Sequence, residues 1–337
     1  MKDKAGKTLK YVLSVCIAVL CVWLVADKVD WAEFLSGLKV TRWGYILLFV
    51  AASVLALVFR TLRWRNLLEP LGDPAGRLDI WDALNIGNLA NVAIPGAGEF
   101  IRCGYVSNRK ATYDKTLGTI LMERIWDIFA IIVLLALALT LKRREIGAFL
   151  SENILEPLSA RLSLWWVIIA VIALCCAAVW TVWRLRTRNG FCAKVAGIIS
   201  GALQGFSSFF RMKHKLRFAL YTAGVWAMYV LMSWFGLKAV PVLCGLTLAD
   251  ALFISAIGNL ASVIPVPSGM GPYHYLIMVT LASLYGFPNE TGILYAVLCH
   301  ESHAVLIIIL GAISYVRLTL SRRKTVPAGQ ETMKNED

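Results

Sequence analysis

Six apolar runs, 9–26, 43–59, 116–141, 164–183, 218–240 and 292–316, approach the roughly 20 residues a helix needs to cross bilayer hydrocarbon. A backbone in lipid must satisfy its own hydrogen bonds, so each run is expected to be a transmembrane helix. With 58% hydrophobic and 16% charged residues among 337, the chain has more apolar surface than one soluble core can hide. The first run follows a lysine-rich start, as a signal peptide would. No small-x-small cleavage site follows it, and it is expected to be retained.

Two further apolar stretches do not fit simple spans. Residues 80–101 are broken by Pro95-Gly96-Ala97-Gly98, and 250–285 by Pro265-Val266-Pro267-Ser268-Gly269-Met270-Gly271. Both read as hairpins that enter the membrane and turn back. Asp82-Ala83-Leu84 followed by Ile86-Gly87-Asn88-Leu89-Ala90 recurs as Asp250-Ala251-Leu252 followed by Ile257-Gly258-Asn259-Leu260-Ala261, each copy just ahead of its break. Each half is then span, span, broken hairpin, span, and an odd number of crossings inverts the second copy. The expected fold is an all-α polytopic membrane protein with about six transmembrane helices and two re-entrant helical hairpins arranged as inverted repeats. Residues 1–337 form one membrane domain with half-repeats 9–141 and 163–316, a basic cytoplasmic linker 184–217 and a cytoplasmic tail 317–337.

The formal net charge of +13 belongs to clusters between apolar runs, not to a soluble face, so no nucleic-acid partner is expected. The clusters set orientation. Lys2, Lys4, Lys7 and Lys10 place the N-terminus inside. Arg60, Arg63, Arg65 and Arg77 mark the chain's return to the cytoplasm, as do Arg102, Arg109, Lys110 and Lys115. The linker and the tail, with Arg317, Arg322, Arg323 and Lys324, also fall inside, giving an inner-membrane protein with both termini cytoplasmic. Lys142, Arg143 and Arg144 break the rule, because they would lie outside. Cys16, Cys21, Cys103, Cys175, Cys176, Cys192, Cys244 and Cys299 lack C-x-x-C spacing and read as small buried hydrophobes. Gly197, Gly201 and Gly205, with nearby phenylalanines, suggest an interfacial amphipathic helix in the linker.

Broken helices bring unpaired backbone groups and half-helix ends to the depth where transporters bind substrate. The candidate binding residues at the breaks are Asn88, Gly98, Glu99 and Arg102, with Asn259, Ser268, Gly269, Gly271 and His274 in the second half. Pro272 suits the first turn of a half-helix whose amides would face an anion. Ionisable residues inside spans are costly and ask for a reason. Glu123, Arg124 and Asp127 share one side of the third span, and His300, Glu301 and His303 sit at comparable depth in the sixth. Either group can lock helices together or handle substrate and protons. His300-Glu301-Ser302-His303 lacks the i,i+4 spacing of the H-E-x-x-H helix, so no metal site and no cofactor are expected.

Around Gly87-Asn88, Pro95-Gly96-Ala97-Gly98-Glu99 with Arg102, Tyr113-Asp114-Lys115 through Glu123-Arg124 and Asp127, and Pro267-Ser268-Gly269-Met270-Gly271, the chain resembles the lysylphosphatidylglycerol synthase transmembrane-domain family of flippase-like proteins. The resemblance spans nearly the whole length. It implies movement of lipids between leaflets, while a separate soluble domain that aminoacylates phosphatidylglycerol in some members is not read here. Many relatives have arginine where Ala97 stands and glutamate near His274, so charge at the site differs. The expected function is a flippase or transporter of an anionic or lipid-linked amphiphile, with membrane lipids as partners and a homo-oligomer or a separate lipid-modifying enzyme as further ones. A membrane-embedded transferase or hydrolase using Glu123, Asp127, His300 or His303, or an accessory scaffold, are the alternatives.

Overall fold

In the computed structural model the described residues are 30–72, 75–142, 190–261 and 269–325, with isolated residues between them. The expected spans at 9–26 and 164–183 lie outside these residues. Helix α1 (Trp31–Lys39) begins at Asp30, whose Oδ1 accepts from the amides of Ala32 at 2.8 Å and Glu33 at 3.2 Å, an N-cap. Among the described residues, four helices are long and apolar enough to cross a membrane: α2 (Trp43–Leu68, extended by a 3-10 turn to Leu71), α5 (Tyr113–Leu141), α8 (Lys215–Ala239) and α11 (Asn289–Thr325, apolar as far as Leu320). They cover the expected spans 43–59, 116–141 and 292–316 in full and 218–240 up to Ala239, mostly with longer ends. The second span runs past Phe59 through Arg60 and Arg63, because those arginines find carboxylates inside the protein. It stops only where Pro70 and Gly72, at φ 84°, end the 3-10 turn.

Both broken stretches form helix–turn–helix units. In the first, α3 (Arg77–Ala93) turns through Gly96, at φ 76°, into α4 (Ala97–Val106). The arms touch at Gly87 and Gly98, where a Cβ on Gly98 would overlap the Gly87 carbonyl. The Gly98 amide donates to Asn91 Oδ1 at 2.7 Å. Gly98→Ala is therefore expected to pry the arms apart and cost about 1–3 kcal/mol, read as a lowered melting temperature in detergent. An unchanged melting temperature would mean that the arms do not meet there. In the second unit, α9 (Leu248–Ala261) leads to α10 (Pro272–Tyr285) through Gly269 and Gly271, at φ 75° and 91°. Pro267 and Ser268 lie outside the described residues.

The halves exchange partners. Helix α2 packs along α8, while α3 of the first half lies on α11 of the second and α9 of the second lies on α5 of the first. Gly311 on α11 admits the backbone of α3, since a Cβ there would come within 2.6 Å of Leu89 Cβ and 3.0 Å of the Asn85 carbonyl. A core of Phe49, Trp226, Leu237, Ile254, Ile277 and Tyr295 joins α2, α8, α9, α10 and α11. In the linker, α6 (Gly190–Phe206) lies on α5 and leads to α7 (Ser208–Arg211). A Cβ on Gly201 would strike Asp114, and one on Gly205 the Lys115 carbonyl. Gly201 and Gly205 thus serve a close helix–helix seam within the chain.

Candidate functional site

A charged cluster occupies the space between α2, α4 and α5. Arg63, fully buried, donates from Nη2 to Glu123 Oε1 at 2.8 Å and from Nη1 to Asp127 Oδ1 at 2.7 Å. Arg102 Nη2 lies 2.7 Å from Glu99 Oε2 and 3.0 Å from Glu123 Oε2, and its guanidinium sits 4.6 Å from the centre of the Trp64 ring. Trp64 is fixed in turn by its indole N–H, which donates to Thr119 Oγ1 at 3.0 Å. Arg124 pairs with Glu99 and approaches Asp127 at 3.9 Å. Arg60 has Glu123 Oε1 as its nearest carboxylate oxygen, at 3.9 Å.

Glu123 and Asp127 are roughly 15 and 21 Å along α5 from Tyr113, near the middle of that 29-residue helix. Burying ions at that depth costs several kcal/mol each before pairing. Among the described residues, four guanidiniums here face three carboxylates, leaving one positive charge in excess. Arg60 has the loosest pairing and is 15% exposed at its side chain. A cluster built only to lock helices has no need of the fourth arginine.

Beside this cluster, across the helices, lies a second group. His300 Nδ1 is 2.9 Å from Glu301 Oε1, which is also 3.6 Å from His274 Nε2, and the rings of His274 and His300 are 4.9 Å apart. The ligand atoms of His274, His300 and Glu301 fall within 4.8 Å of one another. The Gly271 amide, however, donates to His274 Nδ1 at 3.4 Å, which puts the proton of the neutral ring on Nε2, aimed at Glu301. That tautomer presents an N–H, not a lone pair, on the Glu301 side, which suits a nearby carboxylate better than a metal ion. Next to these side chains is a cavity of about 230 Å³ whose lining includes Phe49, Ser255, Asn259, Gly269, Tyr273 and His303.

The expected site residues therefore fall into two neighbouring sets. Glu99, Arg102, Glu123, Arg124 and Asp127 form the charged cluster, although Asp127 takes Arg63 as its close partner in place of Arg124. Asn259, Gly269, His300 and His303 line the cavity, with His274 and Glu301 beside it. The amides of Gly98 and Gly269 already donate, to Asn91 Oδ1 and the Val266 carbonyl, so side chains are the donors on offer. Asn88 Nδ2 is buried with no hydrogen-bond partner among the described residues. Ser268 is outside the described residues. Arg60 and Arg63 were missing from the expected set; their signal was an i,i+3 pair of arginines continuing an unbroken helical pattern.

A family model described as the lysylphosphatidylglycerol synthase TM region matches residues 11–311. The chain belongs to that family. No curated protein and no solved structure gives a significant match. Membership of the lysylphosphatidylglycerol synthase transmembrane family, together with the four apolar helices, makes this a multi-pass membrane protein of a lipid-related family.

Proposed function

We propose that the protein moves an anionic lipid between the leaflets of the cytoplasmic membrane, using the excess guanidinium charge between α2, α4 and α5 to carry the headgroup while the tails stay in lipid. The observation that carries this reading is Arg60, a charged group at depth whose nearest carboxylate is 3.9 Å away. A phosphate cannot enter hydrocarbon alone, and a preorganised cationic cluster lowers that cost. The lipid-related family supports the same reading.

Two ion pairs support opposed halves. Asp82, from the first Asp-Ala-Leu, accepts from Arg317 Nε at 2.7 Å, beyond the expected end of the last span. Asp250, from the second, takes Lys142 Nζ at 2.7 Å, just past the end of α5. Each hairpin is thus latched to the last span of the other half, as inverted copies would require. Lys142, which breaks the positive-inside rule, is the cation of the second latch. With both termini cytoplasmic, the Asp82 latch faces the cytoplasm and the Asp250 latch the opposite side.

The test is transport by purified protein in vesicles carrying a fluorescent phosphatidylglycerol in both leaflets, with a membrane-impermeant quencher outside. Protein-containing vesicles are expected to lose inner-leaflet signal faster than protein-free ones. Equal rates for every anionic lipid tried would remove the proposal.

A further inference from the structure

The cavity beside the cluster has a lining that narrows the headgroup. Phe49, Tyr229, Tyr273 and Tyr295 supply aromatic walls, and Ser255, Asn259, His300 and His303 supply hydrogen-bonding atoms. No aspartate, glutamate, lysine or arginine is among the described lining residues. Ser255 Oγ and His303 Nδ1 are buried with no hydrogen-bond partner among the described residues. An orphaned hydroxyl and an orphaned ring nitrogen in an aromatic cavity are what a ligand with hydroxyl groups would satisfy, since each hydroxyl both donates and accepts.

Size and chemistry add two limits. A cavity of about 230 Å³ is at the small end of ligand pockets, which suits the end of a headgroup and not two acyl chains. Aromatic walls can also hold a quaternary ammonium. A choline headgroup, however, has no hydroxyl to offer Ser255 Oγ and His303 Nδ1, and the charges bordering the lining are of both signs, Arg60 within electrostatic reach of His303 and Glu301 Oε1 2.9 Å from His300 Nδ1. Arg60 is the cation on hand for a phosphate outside the lining.

We propose that this cavity receives an uncharged polyhydroxylated end of the lipid headgroup while Arg60 and its neighbours hold the phosphodiester. This rests on the transport reading above and names the substrate class within it: phosphodiester lipids ending in a polyol, in preference to aminoacylated or choline-bearing ones.

Two measurements separate this inference from its foundation. In the vesicle assay, phosphatidylglycerol or phosphatidylinositol is expected to move about tenfold faster than phosphatidic acid, lysylphosphatidylglycerol and phosphatidylcholine, the worth of one or two hydrogen bonds. Ser255→Leu, which fills the cavity, should erase that preference; Ser255→Ala, a milder change, should reduce it. Independently of transport, glycerophosphoglycerol or glycerophosphoinositol should raise the melting temperature of wild-type protein in detergent and leave that of Ser255→Leu unmoved. Movement of phosphatidic acid or lysylphosphatidylglycerol as fast as the polyol lipids would overturn the inference and leave lipid transport standing. Absence of all lipid movement would remove the transport reading. A thermal shift in wild type alone would then still support a polyol site, and no shift would remove that as well.

Discussion

Arg63→Met is expected to destabilise the protein by about 3–5 kcal/mol, the cost of breaking a buried ion pair from one side. Arg63 and Glu123 are both fully buried, and Arg63 is the near partner of Glu123 Oε1 and of Asp127. Without it, among the described residues Asp127 retains only Arg124 at 3.9 Å, and Glu123 is left with Arg102, which Glu99 also engages, and Arg60 at 3.9 Å. The companion variants are Asp127→Asn and the pair Arg63→Met/Asp127→Asn. The pair is expected to lose clearly less than the sum of its single changes, because the stranded carboxylate is gone. Thermal unfolding in detergent gives the cycle. Additive losses would show that the two charges stand independently. The corresponding cycle on Arg124 and Asp127 is expected to show weaker coupling, since those groups are farther apart.

Breaking either latch should be the second large effect. Asp250 is fully buried and collects Lys142, the Tyr285 hydroxyl at 2.9 Å, and the Thr247 amide and hydroxyl at 2.7 Å. Asp82 is 1% exposed, and Arg317 bridges it and the Leu78 carbonyl at 2.9 Å. Truncating one partner of a buried, hydrogen-bonded charge pair costs about 2–5 kcal/mol, so Asp82→Ala and Asp250→Ala should each lower the melting temperature markedly. Exchanging charges, Asp82→Arg with Arg317→Asp, should recover more stability than either single reversal retains. If the exchanged pair is no better than the worse single variant, the contact contributes no specific attraction.

Both aspartates were visible in the sequence, but only as markers of a repeat. Their partners lie 235 residues away for Arg317 and 108 for Lys142, and no local periodicity links them. The helices and their breaks were more legible, because hydropathy over 20 residues and Pro/Gly punctuation are local signals. Arg60 and Arg63 were read as markers of the cytoplasmic edge because the positive-inside rule pools every basic residue at the end of a span. It does not separate an arginine in the headgroups from one that continues the helix toward a carboxylate. The third span's acids carried the missing clue. Glu123 and Asp127 outnumber Arg124 on that helix, so a cation from elsewhere was needed. His274 was likewise read only as a residue of the second break, since its approach to Glu301 depends on how α10 and α11 pack after that break.

The central claim, that the excess positive charge serves an anionic lipid and does not merely hold helices, is tested most directly by Arg60→Gln. Arg60 is partly exposed and, among the described residues, has one carboxylate within 4 Å, Glu123 at 3.9 Å, so its loss removes the excess charge while leaving every closer pair in place. The measurement is the rate of phosphatidylglycerol movement in vesicles containing equal amounts of folded wild type or Arg60→Gln. The account predicts that the variant keeps a melting temperature near that of wild type and loses most of the protein-dependent rate. An undiminished rate in a well-folded Arg60→Gln would contradict it.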